Sequence, residues 1–181
     1  NPISLQYLNS SNPEFQFANV DQGTIGGIEL ELRKTLGFIA PAFDKFKIST
    51  NLTLITSTMD VIEQSGLEPE SRPFEGQSPL LANLSLGYLN PDSKWDIQVS
   101  YNYTGERLAV VGLNSPDIYE RGLSTLDAVI SKKLGNVSLK FAANNLLNPN
   151  YTTSSEYLGQ EYLTRQYKKG TSFVLSVAYE L

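Results

Sequence analysis

Apolar and polar residues alternate one for one through segment after segment of this chain, a period of two that strands satisfy and helices do not. Between Gly27 and Arg33, the aliphatic Ile28, Leu30 and Leu32 interleave with Glu29, Glu31 and Arg33. Phe46, Ile48, Leu52 and Leu54 interleave with Lys47, Ser49, Asn51 and Thr53. The same pattern runs from Leu80 to Tyr88, from Trp95 to Thr104 and from Val137 to Asn144, and less cleanly from Leu126 to Lys133. It closes with Phe173, Leu175, Val177, Tyr179 and Leu181 opposite Ser172, Val174, Ser176, Ala178 and Glu180. The segments are also long. Trp95 to Val111 contains no breaker except Gly105, whereas a soluble strand averages about 5–6 residues and a membrane-spanning one needs about 9–11.

The links carry a second signal. Met59 to Gln77 is long and acidic, Asn90 to Lys94 is a tight turn on Pro91 and Asp92, the stretch around Gly112 to Glu120 is longer again, Gly135-Asn136 is a two-residue hairpin turn, and Asn148 to Tyr162 is long. Long and short links thus mostly alternate, the exception being the link through Gly37 and Pro41. Charge sorts the same way. Arg33, Lys34, Lys45, Lys47, Lys94, Lys132, Lys133 and Lys140 lie near the short-turn end, and Asp60, Glu63, Glu68, Glu70, Glu75, Asp117, Glu120, Glu156 and Glu161 lie in the long links. Phe46, Tyr88 and Trp95 at one end, with Tyr119 and Tyr162 at the other, suit interfacial aromatic girdles.

Composition removes several functions. The 181 residues include no Cys and no His, so thiolate chemistry, a Ser-His-Asp triad and most zinc chemistry are absent. Asp127 and Glu106 are brought together by no spacing rule, and the chain reads as a non-enzyme with no metal site and no cofactor. A net charge of -5 argues against nucleic acid as a partner. No stretch approaches the roughly 18 apolar residues of a membrane helix, which leaves a membrane barrel open because only every second residue of a strand meets lipid. Asn1-Pro2 reads as an internal cut, with no signal peptide before it.

A soluble β-sandwich also alternates. Strand length, and charges and amides deep along the polar faces, favour an all-β, antiparallel transmembrane β-barrel of about eight meandering strands, the first (Ile3 to Leu8) truncated.

Four stretches resemble the C-terminal barrel of TonB-dependent receptors. They are Asn19-Val20-Asp21-Gln22-Gly23 with Gly27 to Lys34; Arg72-Pro73-Phe74-Glu75-Gly76-Gln77-Ser78-Pro79; Tyr101-Asn102-Tyr103-Thr104-Gly105-Glu106-Arg107; and Asn144-Asn145-Leu146-Leu147-Asn148 followed by Tyr151. The alternating C-terminal strand fits as well, ending on Leu181 where an aromatic is usual. The resemblance spans Asn19 to Leu181 and implies that residues 1–181 are the C-terminal portion of a barrel of roughly 22 strands, with the N-terminal plug domain and earlier strands absent. The implied function is outer-membrane reception and TonB-energised uptake of an extracellular ligand (siderophore, cobalamin, glycan or peptide) in a Gram-negative cell. The implied partners are outer-membrane lipid, the plug and TonB, the ligand, and the barrel assembly machinery, which reads the last strand. The alternative is a self-contained eight-stranded outer-membrane barrel with a structural or adhesive role, which requires Ile3–Leu8 to pair with Phe173–Leu181.

The candidate ligand-binding residues in loops and lumen are Arg72, Gln77, Arg107, Tyr151, Tyr157 and Tyr162. For Arg72 and Gln77, anchoring the loop to the barrel is the default role. Glu29, Glu31 and Arg33 are expected to face the lumen or plug, with a cross-strand ion-pair ladder as the plain alternative. Trp95, Tyr101 and Tyr103 share the apolar face and are expected to contact lipid. The acidic link Asp60 to Glu75 is expected to be a solvated surface loop. Cut from a larger barrel, the chain is expected not to persist as a soluble monomer, because it would expose an apolar band and two unpaired edges.

Overall fold

The computed structural model describes residues 3–9, 11–20, 22–61 and 70–180; Asp21, Glu63, Glu68 and Leu181 lie outside them. In chain order the strands are β1 (Ile3–Leu8), β2 (Glu14–Asn19), β3 (Gly23–Thr35), β4 (Phe46–Val61), β5 (Glu70–Arg72), β6 (Leu80–Asn90) and β7 (Trp95–Thr104). They continue as β8 (Arg107–Leu113), β9 (Ile118–Glu120), β10 (Leu123–Leu134), β11 (Val137–Asn144), β12 (Tyr151–Tyr157), β13 (Gln160–Tyr167) and β14 (Ser172–Tyr179).

Two sheets result. The first, the wall, is an eight-stranded sheet ordered β14-β11-β10-β7-β6-β4-β3, with β5 paired to β4 off that path. Its neighbours are all antiparallel. Short links make this meander possible. At Gly135 the backbone adopts φ +61, which glycine reaches without strain, so Leu134 can pair directly with Val137. Between β6 and β7 the Asn90 side-chain oxygen accepts the backbone N–H groups of Asp92 and Ser93, each at 3.1 Å, and closes the turn.

Register turns the alternation into two chemically different faces. One row across the sheet reads Leu32, Thr50, Leu84, Tyr101 and Leu126, and another reads Tyr88, Ile97, Ile130, Phe141 and Leu175. Most of these side chains are exposed, Leu175 to 70% and Leu84 to 46%, and the rest are half-buried. The opposite face carries Glu31, Asn51, Asn83, Asn102 and Thr125 in one row and Arg33, Ser49, Ser85, Ser100 and Asp127 in the next. A sheet with bare aliphatics on one side and amides, hydroxyls and charges on the other is built for hydrocarbon on the first and water on the second.

The second sheet, the cap, is ordered β13-β12-β9-β8-β1-β2 and is assembled from the long links. It corrects three readings of the sequence. The run from Trp95 to Val111 is not one strand: it breaks after Thr104, and β8 leaves the wall for the cap. At the break Gly105 donates its N–H to the Leu80 carbonyl at 2.8 Å and its own carbonyl accepts the Ser78 hydroxyl at 3.0 Å, a close approach that a Cβ, 3.1 Å from Ser78 Oγ, would crowd. Ile3–Leu8 is not a truncated wall strand; it pairs antiparallel with β2 and parallel with β8. It does not reach β14, so β3 and β14 remain the open ends of the wall and the requirement of a self-closed small barrel is not met among the described residues. The link Asn148 to Tyr162 is largely the β12–β13 hairpin, because Tyr151 to Tyr157 and Gln160 to Tyr167 pair through a turn at Leu158-Gly159.

The buried hydrophobic cluster sits in and beneath the cap. Val20, Met59, Val61, Leu108, Val111 and Leu113 form it, with Leu8, Phe74 and Tyr119 packed against them. Strand β4 shows how one strand serves both regions. Up to Leu54 its apolar residues fall on the exposed aliphatic face; from Ile55 onward Ile55, Met59 and Val61 fall on the other face, and Met59 and Val61 are almost fully buried. The alternation changes phase at Leu54-Ile55, where the wall ends and the cap begins.

Candidate functional site

The cap is held to the wall by carboxylates placed among backbone donors. Asp117, in the β8–β9 link, accepts Arg72 Nε at 2.6 Å through one oxygen and the Gly112 N–H at 2.9 Å through the other. Arg72 also meets Glu70 at 2.8 Å. Burial alone would lower the Arg72 pKa, but Glu70 and Asp117 outweigh it and the net shift is upward, so the guanidinium stays charged. Burial, reinforced by Asp117, raises the Tyr119 phenol and keeps it neutral. Glu75 accepts the Leu5 N–H at 2.7 Å and the hydroxyl of buried Ser4 at 2.9 Å, which ties β1 to the Arg72–Gln77 segment. Arg72 is therefore an anchor. The link expected to be merely solvated is in its described part an organised strut: Asp60 accepts the Ser71 hydroxyl, and Glu70, Arg72 and Glu75 are all engaged.

Two cavities open where wall and cap meet. The first, about 460 Å³, is lined by Gln77, Tyr103, Glu106, Arg107 and Tyr119 among others. The second, about 330 Å³, is lined by Arg107, Glu120, Arg121, Tyr151, Tyr167 and Lys169. Arg107 borders both. Its guanidinium meets Glu120 at 2.9 Å and donates to the Gly76 carbonyl at 3.3 Å, so it is oriented before any ligand arrives. Arg121 is clamped between Glu106 and Glu161. Tyr151 stacks on Tyr167 with centroids 5.3 Å apart; Lys169 Nζ lies 4.0 Å from the Tyr151 centroid and Arg165 Cζ 4.9 Å from that of Tyr167.

Of the residues singled out from sequence, Gln77, Arg107 and Tyr151 thus converge on these cavities, and Arg72 stands behind them. Tyr157 and Tyr162 do not join them. They lie near the tip of the β12–β13 hairpin, 57% and 49% exposed, and Tyr162 donates only to Gln160. Arg121, Tyr167 and Lys169 were missed, although the basic pair Lys168-Lys169 before Gly170 is a visible signal close to a strand start. On the polar face of the wall, Glu29 accepts the Asn51 amide across the strands, while Glu31 pairs with Arg33 at 2.5 Å along the same strand. In place of the alternative cross-strand ion ladder, the row beside Glu31 is Asn51, Asn83 and Asn102. Glu106 and Asp127 share no partner: the first binds Arg121 and the second accepts the Asn145 N–H at 2.7 Å.

Known proteins can now be set beside this geometry. Residues 1–146 match the family model described as TonB dependent receptor-like, β-barrel. The chain belongs to that family. This member of the TonB-dependent receptor family also superposes on solved structures. Against the ferric citrate transporter FecA in its unliganded form, 86% of this chain and 24% of that one align, with a TM-score of 0.63 and 13% identity. Against the copper transporter OprC, the shares are 98% and 26%, with a TM-score of 0.62 and 18% identity. At these identities the likeness is one of fold. This TonB-dependent receptor barrel chain spans about a quarter of the length of both structures. No curated protein matches its sequence.

Proposed function

We propose that this chain supplies wall and extracellular cap to a TonB-energised uptake receptor in the outer membrane of a Gram-negative cell. The observation that carries the reading is the two-faced register of the wall, with rows such as Tyr88, Ile97, Ile130, Phe141 and Leu175 on one side and Glu31, Asn51, Asn83, Asn102 and Thr125 on the other. The open edges at β3 and β14 fit a segment of a larger barrel, with residues 1–181 as its C-terminal part. In this reading a separate plug domain and TonB provide the moving parts, and the assembly machinery engages β14. Ligand meets Gln77, Arg107 and Tyr151 at the cap, and Glu29, Glu31 and Arg33 face the lumen.

The test is energised uptake in cells carrying the full receptor gene, with candidate ligands supplied one class at a time. Arg107→Ala and Tyr151→Ala are expected to lower uptake of the cognate ligand at least tenfold each, about 1.4 kcal/mol, at unchanged outer-membrane abundance. Deleting TonB is expected to abolish it. Uptake that persists without TonB would refute the energised mechanism, and full activity of both variants would refute the site.

A further inference from the structure

On the apolar face of the wall, near its short-turn end, Phe46, Leu86, Tyr88, Ile97 and Val99 line a groove of about 290 Å³. Its walls are almost wholly hydrocarbon and aromatic: the Phe46 and Tyr88 rings sit 4.9 Å apart. The next row toward the turns reads Asn90, Trp95 and Lys132, about 7 Å further along the strands. Lys132 Nζ lies 4.6 Å from the Trp95 centroid and donates to the Ser93 carbonyl, which holds its ammonium group at the rim. Across the groove, Lys34 Nζ lies 5.6 Å from the Phe38 ring. Neither lysine has an acidic partner among the described residues. Of the acids at this end, Asp92 binds Lys45 at 3.2 Å, Asp44 lies against Gly37 without an ion pair to Lys34 or Lys132, and Asp96 and Glu180 belong with Ser131 and Lys133 on the polar side.

We infer that this groove is a binding site for a glycerophospholipid of the leaflet at the turn end, one acyl chain lying against Leu86, Ile97 and Val99 and the phosphate on Lys132. An ammonium without a counter-ion beside hydrocarbon is costly, and a phosphate at the end of an acyl chain supplies the missing anion at the right depth. Trp95 and Tyr88 add donors at the same level: the indole N–H makes no hydrogen bond among the described residues, and the Tyr88 hydroxyl accepts only the Asn90 amide, at 2.9 Å. The inference rests on the outer-membrane reading above, because only there does this face meet lipid.

The full receptor, extracted in detergent and stripped of lipid, would be titrated with phosphatidylglycerol and bound lipid counted by native mass spectrometry. One retained phospholipid is expected, with diacylglycerol, which lacks the phosphate, not retained. Lys132→Gln should weaken retention roughly fivefold, the worth of one interfacial lysine, and Lys132→Arg should preserve it. Val99→Trp should fill the groove and abolish it. Equal retention by wild type, Lys132→Gln and Val99→Trp, or retention of lipid A in preference to phospholipid, would overturn the site. Heat-modifiable gel migration confirms that each variant is folded. Detergent phase separation distinguishes the two levels of failure. A receptor that enters the aqueous phase refutes the membrane reading itself, whereas one that stays with detergent but shows no lipid preference refutes only the groove.

Discussion

The wall and the cap are two solutions to the same problem in different solvents. In the cap, apolar side chains point at one another: Leu108 and Val111 are wholly buried and Val61 is 1% exposed. In the wall they point away from the protein, with Leu175 at 70% and Ile28 at 65%. The cap gains stability from excluding water around a shared core. The wall is held by its hydrogen-bond ladder, which lipid strengthens in effect because hydrocarbon offers the backbone no other partner. Polar groups follow the opposite rule. In the cap they are partly buried one at a time with dedicated partners, as Asp117 and Glu75 are; in the wall they form open rows of interchangeable amides and hydroxyls.

From this contrast, the same kind of substitution has different consequences in the two regions. The largest effect is expected from Leu108→Ala, which empties a fully buried site and should destabilise the cap by about 2–5 kcal/mol. Hydrogen exchange would show faster amides in β8 and β1, while the wall amides of β6 and β7 stay protected. Loss of protection in both together would mean that cap and wall are one cooperative unit. Leu84→Arg, a charge on the lipid side of mid-wall, is expected to cost about 2–4 kcal/mol in bilayers, read by urea unfolding in vesicles. An unchanged midpoint would place that face in water instead. The smallest effect belongs to the turn end, where Glu180 is exposed. The hydrogen bond from Lys133 at 2.6 Å, and then its charge, lower the Glu180 pKa below the ordinary glutamate value. Because the folded-state pKa is the depressed one, the contact contributes above the ordinary carboxylate range and is lost as pH falls through the lowered value. Carboxyl NMR should find that midpoint restored upward in Lys133→Met.

Much of the wall was legible in the residues because each strand reports its own facing: Ile28-Glu29-Leu30-Glu31-Leu32-Arg33 can alternate only one way against lipid and water. The candidate site was legible in part. Arg107, Gln77 and Tyr151 stand near strand ends, where loops meet wall, and strand ends can be read. Their convergence could not be, since it depends on β9 pairing with β12 across a gap of more than thirty residues (Tyr119 opposite Ser154). That Arg72 anchors its loop could be read from its place where loop meets barrel, but its partner Asp117, forty-five residues on, could not. The phase change at Leu54-Ile55 was present in the chain all along, but two adjacent apolar residues acquire meaning only when one is seen to face hydrocarbon and the other the cap.

Local chemistry was enough to establish strands, their two faces, the short turns at Asn90–Lys94 and Gly135-Asn136, and the exclusion of thiol and imidazole chemistry. Those properties depend on neighbours one or two residues apart, and a chain states them directly. Folding settled which strands belong to which sheet. It broke Trp95–Val111 at Gly105, gave Ile3–Leu8 a parallel partner in β8 and turned the long links into a cap with its own core. Such outcomes depend on long-range pairings whose loop-closure entropy is nearly indifferent to which partner is chosen. The choice then falls to packing, at Leu108 and Val111, and to single part-buried carboxylates such as Asp117 and Glu75.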